Sequence, residues 1–81
     1  MNRNKETIAF VRYYPRNPRL LAYKERLLYE DDENLHPVYV SVFEDERTIS
    51  ETAELLNLKH SKVEHLVNMI CMCIRAMYFD G

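Results

Sequence analysis

Apolar side chains recur in this chain at intervals of three and four residues, the spacing that gathers them on one side of an α-helix. The clearest apolar stripe lies within residues 19–29 and consists of Leu20, Leu21, Tyr23, Leu27 and Leu28. Pro18 suits the first position of that helix. The four consecutive carboxylates of residues 30–33 oppose the negative end of the helix dipole, so we expect the helix to end near Glu30.

Residues 7–14 carry a weaker pattern. Ile8 precedes Val11 by one helical turn, and Phe10 precedes Tyr14 by another. This spacing favours a helix, whereas the β-branched and aromatic content would also suit a strand. We predict a helix here, separated from the next one by the prolines at positions 15 and 18.

Residues 36–45 permit two interpretations. Val38, Val40 and Val42 alternate as in a strand, while Val38, Val42 and Phe43 would share one side of a helix. We predict a helix because a single strand would have no partner, with Pro37 at its first position. The residues that could cap this helix are Asn34, Leu35 and His36.

Residues 48–66 have the most informative pattern in the chain. Thr48 and Glu51 form a T-x-x-E sequence, in which each side chain can bind the other's backbone amide at a helix start. Asn57 tolerates a left-handed backbone, and the small Ala53 four residues earlier lets a second helix approach closely. The apolar residues that would fill the wedge between the helices are Leu56, Leu58, Val63 and Leu66. The pattern predicts a helix-turn-helix.

The last predicted helix begins at His60 or Ser61, runs to about Phe79, and is apolar almost all round after residue 66. Ile70, Ile74 and Met77 can face the core of the domain. A second apolar face is formed by Met69, Met72, Cys73, Ala76 and Phe79. Either the N-terminal helices cover this face, or it forms a homodimer seam or a docking surface for a larger protein.

These elements predict an all-α fold: a small helical domain of four to five helices with a C-terminal helix-turn-helix and a long last helix. Its 81 residues suit a single domain, 1–81. Residues 1–36 form a basic helical part that ends in an acidic connector, residues 30–34, and residues 37–79 form the helix-turn-helix part. Because no apolar run approaches the roughly 20 residues that span a bilayer, and no signal-peptide core is present, we expect a cytoplasmic protein without membrane contact.

The net charge of −2 conceals an uneven distribution of charge. Residues 1–26 carry seven basic and two acidic side chains, whereas residues 27–58 carry one basic and nine acidic side chains. Residues 59–81 carry three basic and two acidic side chains. Such a molecule can present a locally positive face to phosphate. The charges would equally suit solvated helix faces.

The residue types used for catalysis and metal binding are scattered. Cys71 and Cys73 point in different directions on a helix, so we expect both to be reduced, buried and equivalent to small apolar residues. His60 and His65 have no nearby ligands to complete a metal site, and the only glycine, Gly81, cannot form a phosphate-binding loop. We therefore expect no metal, no cofactor and no enzymatic activity.

The candidate DNA-binding residues lie at the start of the first helix of the motif, in its turn and on the outer side of its second helix. They are Thr48, Lys59, His60, Ser61, Lys62, His65 and Asn68. Lys59 and Lys62 would contact phosphate, and short polar groups beyond them would reach base edges. Further phosphate contacts would come from Arg3, Lys5, Arg12 and Arg16.

The segment from Thr48 to Leu66, with one helix before it and a long one after it, resembles region 4 of bacterial sigma factors. It also resembles small phage transcriptional regulators of the ArpU and RinA type, in which an acid-rich loop like residues 43–48 precedes the motif. The resemblance covers roughly residues 37–79. It implies a phage or mobile-element transcription regulator that places its recognition helix in the major groove of duplex DNA and contacts RNA polymerase.

The alternative hypothesis is a small protein-binding inhibitor or adaptor of the phage anti-host or anti-defence type. In that case the acidic runs Glu30–Glu33 and Glu44–Glu46, or the apolar last helix, would bind a partner protein.

Overall fold

The computed structural model describes residues 3–79, and in that range the chain is helical and contains no strand. The α-helices follow in the order α1 Arg3–Tyr13, α2 Pro18–Arg26, α3 Leu35–Tyr39, α4 Ile49–Leu56 and α5 His60–Tyr78. A 3-10 turn, Leu27–Tyr29, continues α2, and a π-helix, Val40–Glu44, continues α3. The all-α fold with a long last helix is confirmed. The predicted domain 1–81 includes residues 1–2 and 80–81, which lie outside the described residues.

The boundaries of α2 follow from its local sequence. The side-chain oxygen of Asn17 accepts hydrogen bonds from the backbone amides of Arg19 and Leu20, at 2.9 and 3.3 Å. Two amides at the helix start, which have no partner within the helix, are thereby satisfied. After the 3-10 turn, Glu30 adopts an extended backbone. The start at Pro18 and the end near Glu30 are both confirmed.

The first helix of the motif begins and ends as its sequence predicts. Thr48 Oγ1 accepts from the amide of Glu51 at 3.0 Å, and Glu51 Oε1 accepts from the amide of Thr48 at 2.8 Å. Asn57 ends α4 with a left-handed backbone, φ 55° and ψ 47°. The amide of Leu58 then donates to the carbonyl of Ala53 at 2.9 Å, closing the helix end. The chain therefore turns sharply before α5 begins.

The core forms around the inner side of α5, which packs against α1, α3 and α4. The predicted inner residues Val63, Leu66, Val67 and Ile70 are all buried. The other buried apolar side chains are Val11, Leu20, Tyr23, Leu27, Leu35, Val38, Tyr39, Val42, Phe43, Ala53, Cys71 and Ile74. Burial on this scale holds α5 in one orientation, with its opposite side left to solvent.

The segment after α3 departs from a regular helix. α3 begins after Asn34, so Pro37 occupies its third position and not the predicted first position. The third position still tolerates a missing amide, because the first four amides of a helix have no partner within it. The chain then widens into the π-helix, and the amide of Asp45 donates to the carbonyl of Val40 at 2.8 Å. Val42 and Phe43 are buried, as the helical interpretation requires. A hydrogen bond of 2.6 Å between the hydroxyls of Ser41 and Thr52 ties the π-helix to α4.

Three apolar residues expected inside are exposed. Leu21 and Leu28 belong to the predicted stripe of α2 but are 44% and 57% exposed, because only one edge of this short helix contacts the core. The thiol prediction is right for Cys71, which is buried, and wrong for Cys73, which is exposed. Residues two apart on a helix point about 200° apart, so both thiols cannot face the same core.

Candidate functional site

The first three turns of α5 present polar side chains to solvent. Ser61, His65 and Asn68 are exposed, on the side opposite the buried Val63 and Leu66. His60 and Lys59 are exposed at the helix start, while Lys62 is half-buried at the edge of this surface. The outer surface of α5, residues 60–68, is therefore a set of hydrogen-bonding groups carried on a rigid helix.

Thr48 occupies a different part of this region, at the start of α4. It is exposed, and its side chain caps α4. Together with Glu64 of α5, Thr48 lines a groove that also runs along α1. The residue is thus near the outer surface of α5, although it belongs to another helix.

Two carboxylates lie beside polar groups of this surface. Lys62 Nζ lies 2.7 Å from Asp32 Oδ2 in the acidic connector, and His60 Nδ1 lies 2.7 Å from Glu64 Oε1. The hydrogen bond from Lys62, followed by one from the amide of Asn34, lowers the pKa of Asp32. The positive charge of the outer surface is consequently smaller than the sequence of α5 suggests.

The N-terminus of α1 borders the same surface. Asn4 Nδ2 donates to Asn68 Oδ1 at 3.3 Å, and Asn4 Oδ1 accepts from Arg75 Nη1 at 2.9 Å. Lys5 lines the groove together with Glu64, whereas Arg3 lies beside Arg75 in a smaller pocket of about 280 Å³. The sequence identifies these cations, but it gives no signal for the contacts of Asn4 between them, whose partners lie 64 and 71 positions away along the chain.

The other two supplementary cations have separate positions. Arg12 donates from Nε and Nη2 to the carbonyl oxygen of Val42, at 3.1 and 2.6 Å, and lines the groove. Arg16 is exposed in the turn between α1 and α2. Neither cation therefore lies on the outer surface of α5 itself.

The groove has a volume of about 740 Å³ and lies between α1, the π-helix, the start of α4 and α5. Its apolar lining consists of Ile8, Ala9, Val42, Ile49 and Val67. Glu46, on the loop that borders it, has a left-handed backbone with φ 58°. This conformation is energetically costly for a residue with a Cβ atom. The surrounding structure therefore holds Glu46 in a backbone conformation that it would not prefer on its own.

The last turns of α5 expose apolar side chains on the same side of the helix. Met69, Met72 and Phe79 are 41%, 56% and 56% exposed, and Cys73 and Ala76 are exposed as well. One face runs the length of the helix, because its members follow at steps of three and four residues: Ser61, His65, Asn68, Met72, Ala76 and Phe79. The N-terminal helices cover part of this apolar half, since Phe79 packs edge-on against Phe10 of α1 at 5.2 Å between ring centroids and Cys73 lies beside Tyr23 of α2. Met69 and Met72 stay exposed.

Several reactive groups are neutral core components. Burial raises the pKa of Cys71 to about 11, and burial followed by the charge of Glu44 raises that of Tyr39 to about 12. Within the described part of the chain, no group of three or more His, Cys, Asp or Glu side chains could hold a metal ion. None of the helices between residues 3 and 79 is both long and apolar enough to span a membrane.

Comparison with protein-family models, curated proteins and solved structures finds no match for this chain. The resemblance to sigma-factor region 4 and to small phage regulators therefore stays a prediction, carried by the motif residues alone.

Proposed function

We propose that this protein is a sequence-specific DNA-binding transcription regulator that inserts the start of α5 into the major groove. The observation that supports this proposal is the exposed polar surface of α5 directly after the left-handed turn at Asn57. The major groove is about 12 Å wide and admits an α-helix. Residues 60–68 cover roughly 12 Å of helix axis, a length suited to the groove.

Each side chain has a role that its chemistry allows. Lys59 and Lys62 bind phosphate. The side chains that reach base edges, where hydroxyl, imidazole and amide groups can both donate and accept, are His60, Ser61, His65 and Asn68. Thr48 Oγ1 accepts from the amide of Glu51, which leaves its hydroxyl proton to donate to a phosphate oxygen. The protein reads sequence through α5 and positions itself through α4.

The low number of cations sets the expected affinity. Non-specific binding strength depends on how many phosphates are neutralised, and the proposed helix supplies Lys59 and Lys62. With two such contacts, the logarithm of the binding constant falls with a slope of about −2 against the logarithm of salt concentration. Affinity should then drop about 15-fold between roughly 50 and 200 mM salt.

The test is selection from a pool of random duplexes followed by fluorescence anisotropy on the enriched sequence. Lys59→Glu should weaken binding by about tenfold or more and reduce the salt slope, because it replaces a phosphate contact with repulsion. Arg26→Glu, an equal charge change on exposed α2, is the matched control and should leave affinity within about twofold. Failure to enrich any duplex at low salt, or equal loss with both variants, would refute the proposal.

Protein binding is the second candidate function, favoured by the exposed apolar half of α5. Large exposed apolar side chains grouped on one helix mark interaction surfaces, and flexible Met side chains adapt to varied partners. The occupants compatible with this surface are a second copy of the chain, RNA polymerase, or the target of a small inhibitor. If the protein is a small inhibitor, neutralising the carboxylates of residues 30–33 would abolish binding of the partner protein. The unchanged protein would then bind no DNA duplex.

A further inference from the structure

Arg12 is a half-buried cation without a carboxylate partner in the described part of the chain. Its guanidinium is held by the carbonyl of Val42, which accepts from Nε and Nη2. A guanidinium has five N–H donors, so three remain for another acceptor. A partly desolvated charge without a counter-ion is energetically costly. Binding of a carboxylate would therefore stabilise the Arg12 guanidinium.

One wall of the groove beside Arg12 is long enough to contact two to three turns of a helix. Lys5, Ala9 and Tyr13 follow one another at four-residue intervals along the wall formed by α1, which extends for about 14 Å from residue 4 to residue 13. Ala9 is exposed and small, so a backbone can approach closely at the middle of this wall. Tyr13 is 76% exposed at one end, and aromatic residues of this kind anchor protein interfaces.

The charges that line the groove favour an acidic occupant. Lys5, Arg12 and Arg47 outnumber Glu46 and Glu64, in a molecule whose overall charge is negative. Glu64 contacts His60 at 2.7 Å, Arg47 contacts Asp45 at 2.9 Å, and Lys5 has an interaction of its own. Arg12 is therefore the cation that an incoming carboxylate would reach with the least competition.

We infer that this groove is a docking site for an amphipathic helix of a partner protein, with apolar side chains packed against Ile8, Val42 and Ile49 and a carboxylate bound by Arg12. Helix-in-groove recognition uses anchors spaced three, four and seven residues apart, which two to three turns of helix provide. The site borders the proposed DNA-binding surface and shares Thr48 with it, but its apolar lining and Arg12 lie outside the outer surface of α5. Peptide binding can therefore be measured without DNA.

Two synthetic peptides of about ten residues test this inference. Both carry leucines along one helical side, and they differ only in a Glu or a Gln next to those leucines. Titrated into ¹⁵N-labelled protein, the Glu peptide should shift the amide resonances of Ala9, Thr48 and Ile49. It should bind about fivefold or more tightly than the Gln peptide, because only the carboxylate can pair with Arg12.

A pair of variants at Ala9 separates charge from size. Ala9→Glu and Ala9→Gln add side chains of equal length at an exposed helical position, and both residue types favour helices. Ala9→Glu should weaken the Glu peptide about threefold or more relative to Ala9→Gln, with no such difference for the Gln peptide. Arg12→Gln should weaken it about tenfold, with circular dichroism to check folding. If Arg12→Gln unfolds, the comparison of the Glu and Gln peptides on the unchanged protein still decides whether a carboxylate is recognised.

Three results would overturn the inference. The first is equal affinity for both peptides, and the second is a set of shifts confined to Met72 and its neighbours on α5. The third is binding of a short fatty acid such as hexanoate at the same amides without peptide binding, which would make the groove a small-molecule site instead. Peptide affinity, the location of the resonance shifts and hexanoate binding are all measured without DNA. A failure to find duplex binding would therefore not change how these three results are interpreted.

Discussion

At the scale of single residues, Asn57 determines where α5 points. Its left-handed backbone, φ 55° and ψ 47°, lets the chain leave α4 and start α5 after two further residues. Side chains with a Cβ atom resist this conformation by about 1–2 kcal/mol, and Asn resists it least among them. The direction of the proposed recognition helix thus depends on one backbone geometry.

Substitution at Asn57 should follow backbone preference. Asn57→Ala should lower the free energy of unfolding by about 1 kcal/mol, because Ala lacks the polar side chain that eases the left-handed conformation. Asn57→Gly should cost less than the Ala variant, or stabilise the fold, because Gly adopts positive φ freely. Urea denaturation followed by circular dichroism measures both. Equal stability of the Ala and Gly variants would contradict this explanation.

Residue-level features were predictable where the partners lie within one helical turn. The reciprocal bonds between Thr48 and Glu51 and the turn at Asn57 could be predicted because their geometry is encoded locally. The pairs Arg12–Val42 and Lys62–Asp32 each join residues thirty positions apart. Nothing in the spacing of apolar residues indicates such contacts, so both emerged only with the tertiary structure.

At the scale of elements, the acidic connector restrains α5. Asp32 Oδ2 accepts from Lys62 Nζ at 2.7 Å, and Asp32 Oδ1 accepts from the amide of Asn34 at 2.9 Å. A phosphate would have to compete with Asp32 for Lys62. The connector between α2 and α3 is therefore an electrostatic competitor of the proposed ligand.

Removing that competitor should be visible in two ways. Asp32→Asn should strengthen binding of the enriched duplex about threefold, because Lys62 loses its internal partner, whereas Glu33→Gln should have a smaller effect. In the protein alone, Lys62→Gln should raise the pKa of Asp32 toward the unfolded value of about 3.9. Carboxyl-carbon NMR titration measures that pKa, and no change would show that the contact is absent in solution.

The sign of the pH effect follows from the lowered pKa of Asp32. A carboxyl group that is more acidic in the folded state stabilises the fold at pH values above its unfolded pKa. This contribution is lost as the pH falls below about 4 and passes through the folded-state pKa. Because solvent still reaches both side chains of this half-buried pair and screens their charges, the change in stability should be small.

The apolar half of α5 suits antiparallel pairing with a second copy. Around a two-fold axis near residues 72 and 73, Met69 would lie opposite Ala76 of the other copy, a large side chain against a small one. Such self-complementarity is what an isologous interface requires. We expect the protein to sediment as a dimer and Met72→Asp as a monomer. Ser61→Asp, on the polar half, is the control that should stay dimeric; a monomeric wild type would exclude this pairing.

The pattern of apolar residues predicts helices more readily than their exact form. Val38, Val42 and Phe43 are buried both in a regular helix and in the observed continuation of α3 into a π-helix. Because either form buries the same side chains, the apolar spacing cannot distinguish them. The burial of one side of α5 was predictable because its apolar positions recur over several turns.

At the scale of the whole molecule, charges that are separate in sequence are mixed in space. Lys24 of the basic N-terminal part contacts Glu44 at 2.8 Å, and Asp32 of the acidic connector contacts Lys62. The expected polarisation into positive and negative faces is therefore partly neutralised by pairing. The all-α class was predictable from composition and periodicity. The packing of α1 against α5, which creates the groove, was not predictable, because an apolar stripe does not indicate which helix it will pack against.

The uninterrupted exposure of α5 along one side has a consequence for assembly. DNA on residues 60–68 and a protein on residues 69–79 would both approach the same side of α5, which is only about 28 Å long. Neighbours that close must either touch or obstruct each other. If both proposed ligands bind, we therefore expect a protein on residues 69–79 to change the affinity of residues 60–68 for DNA, without any movement of the fold.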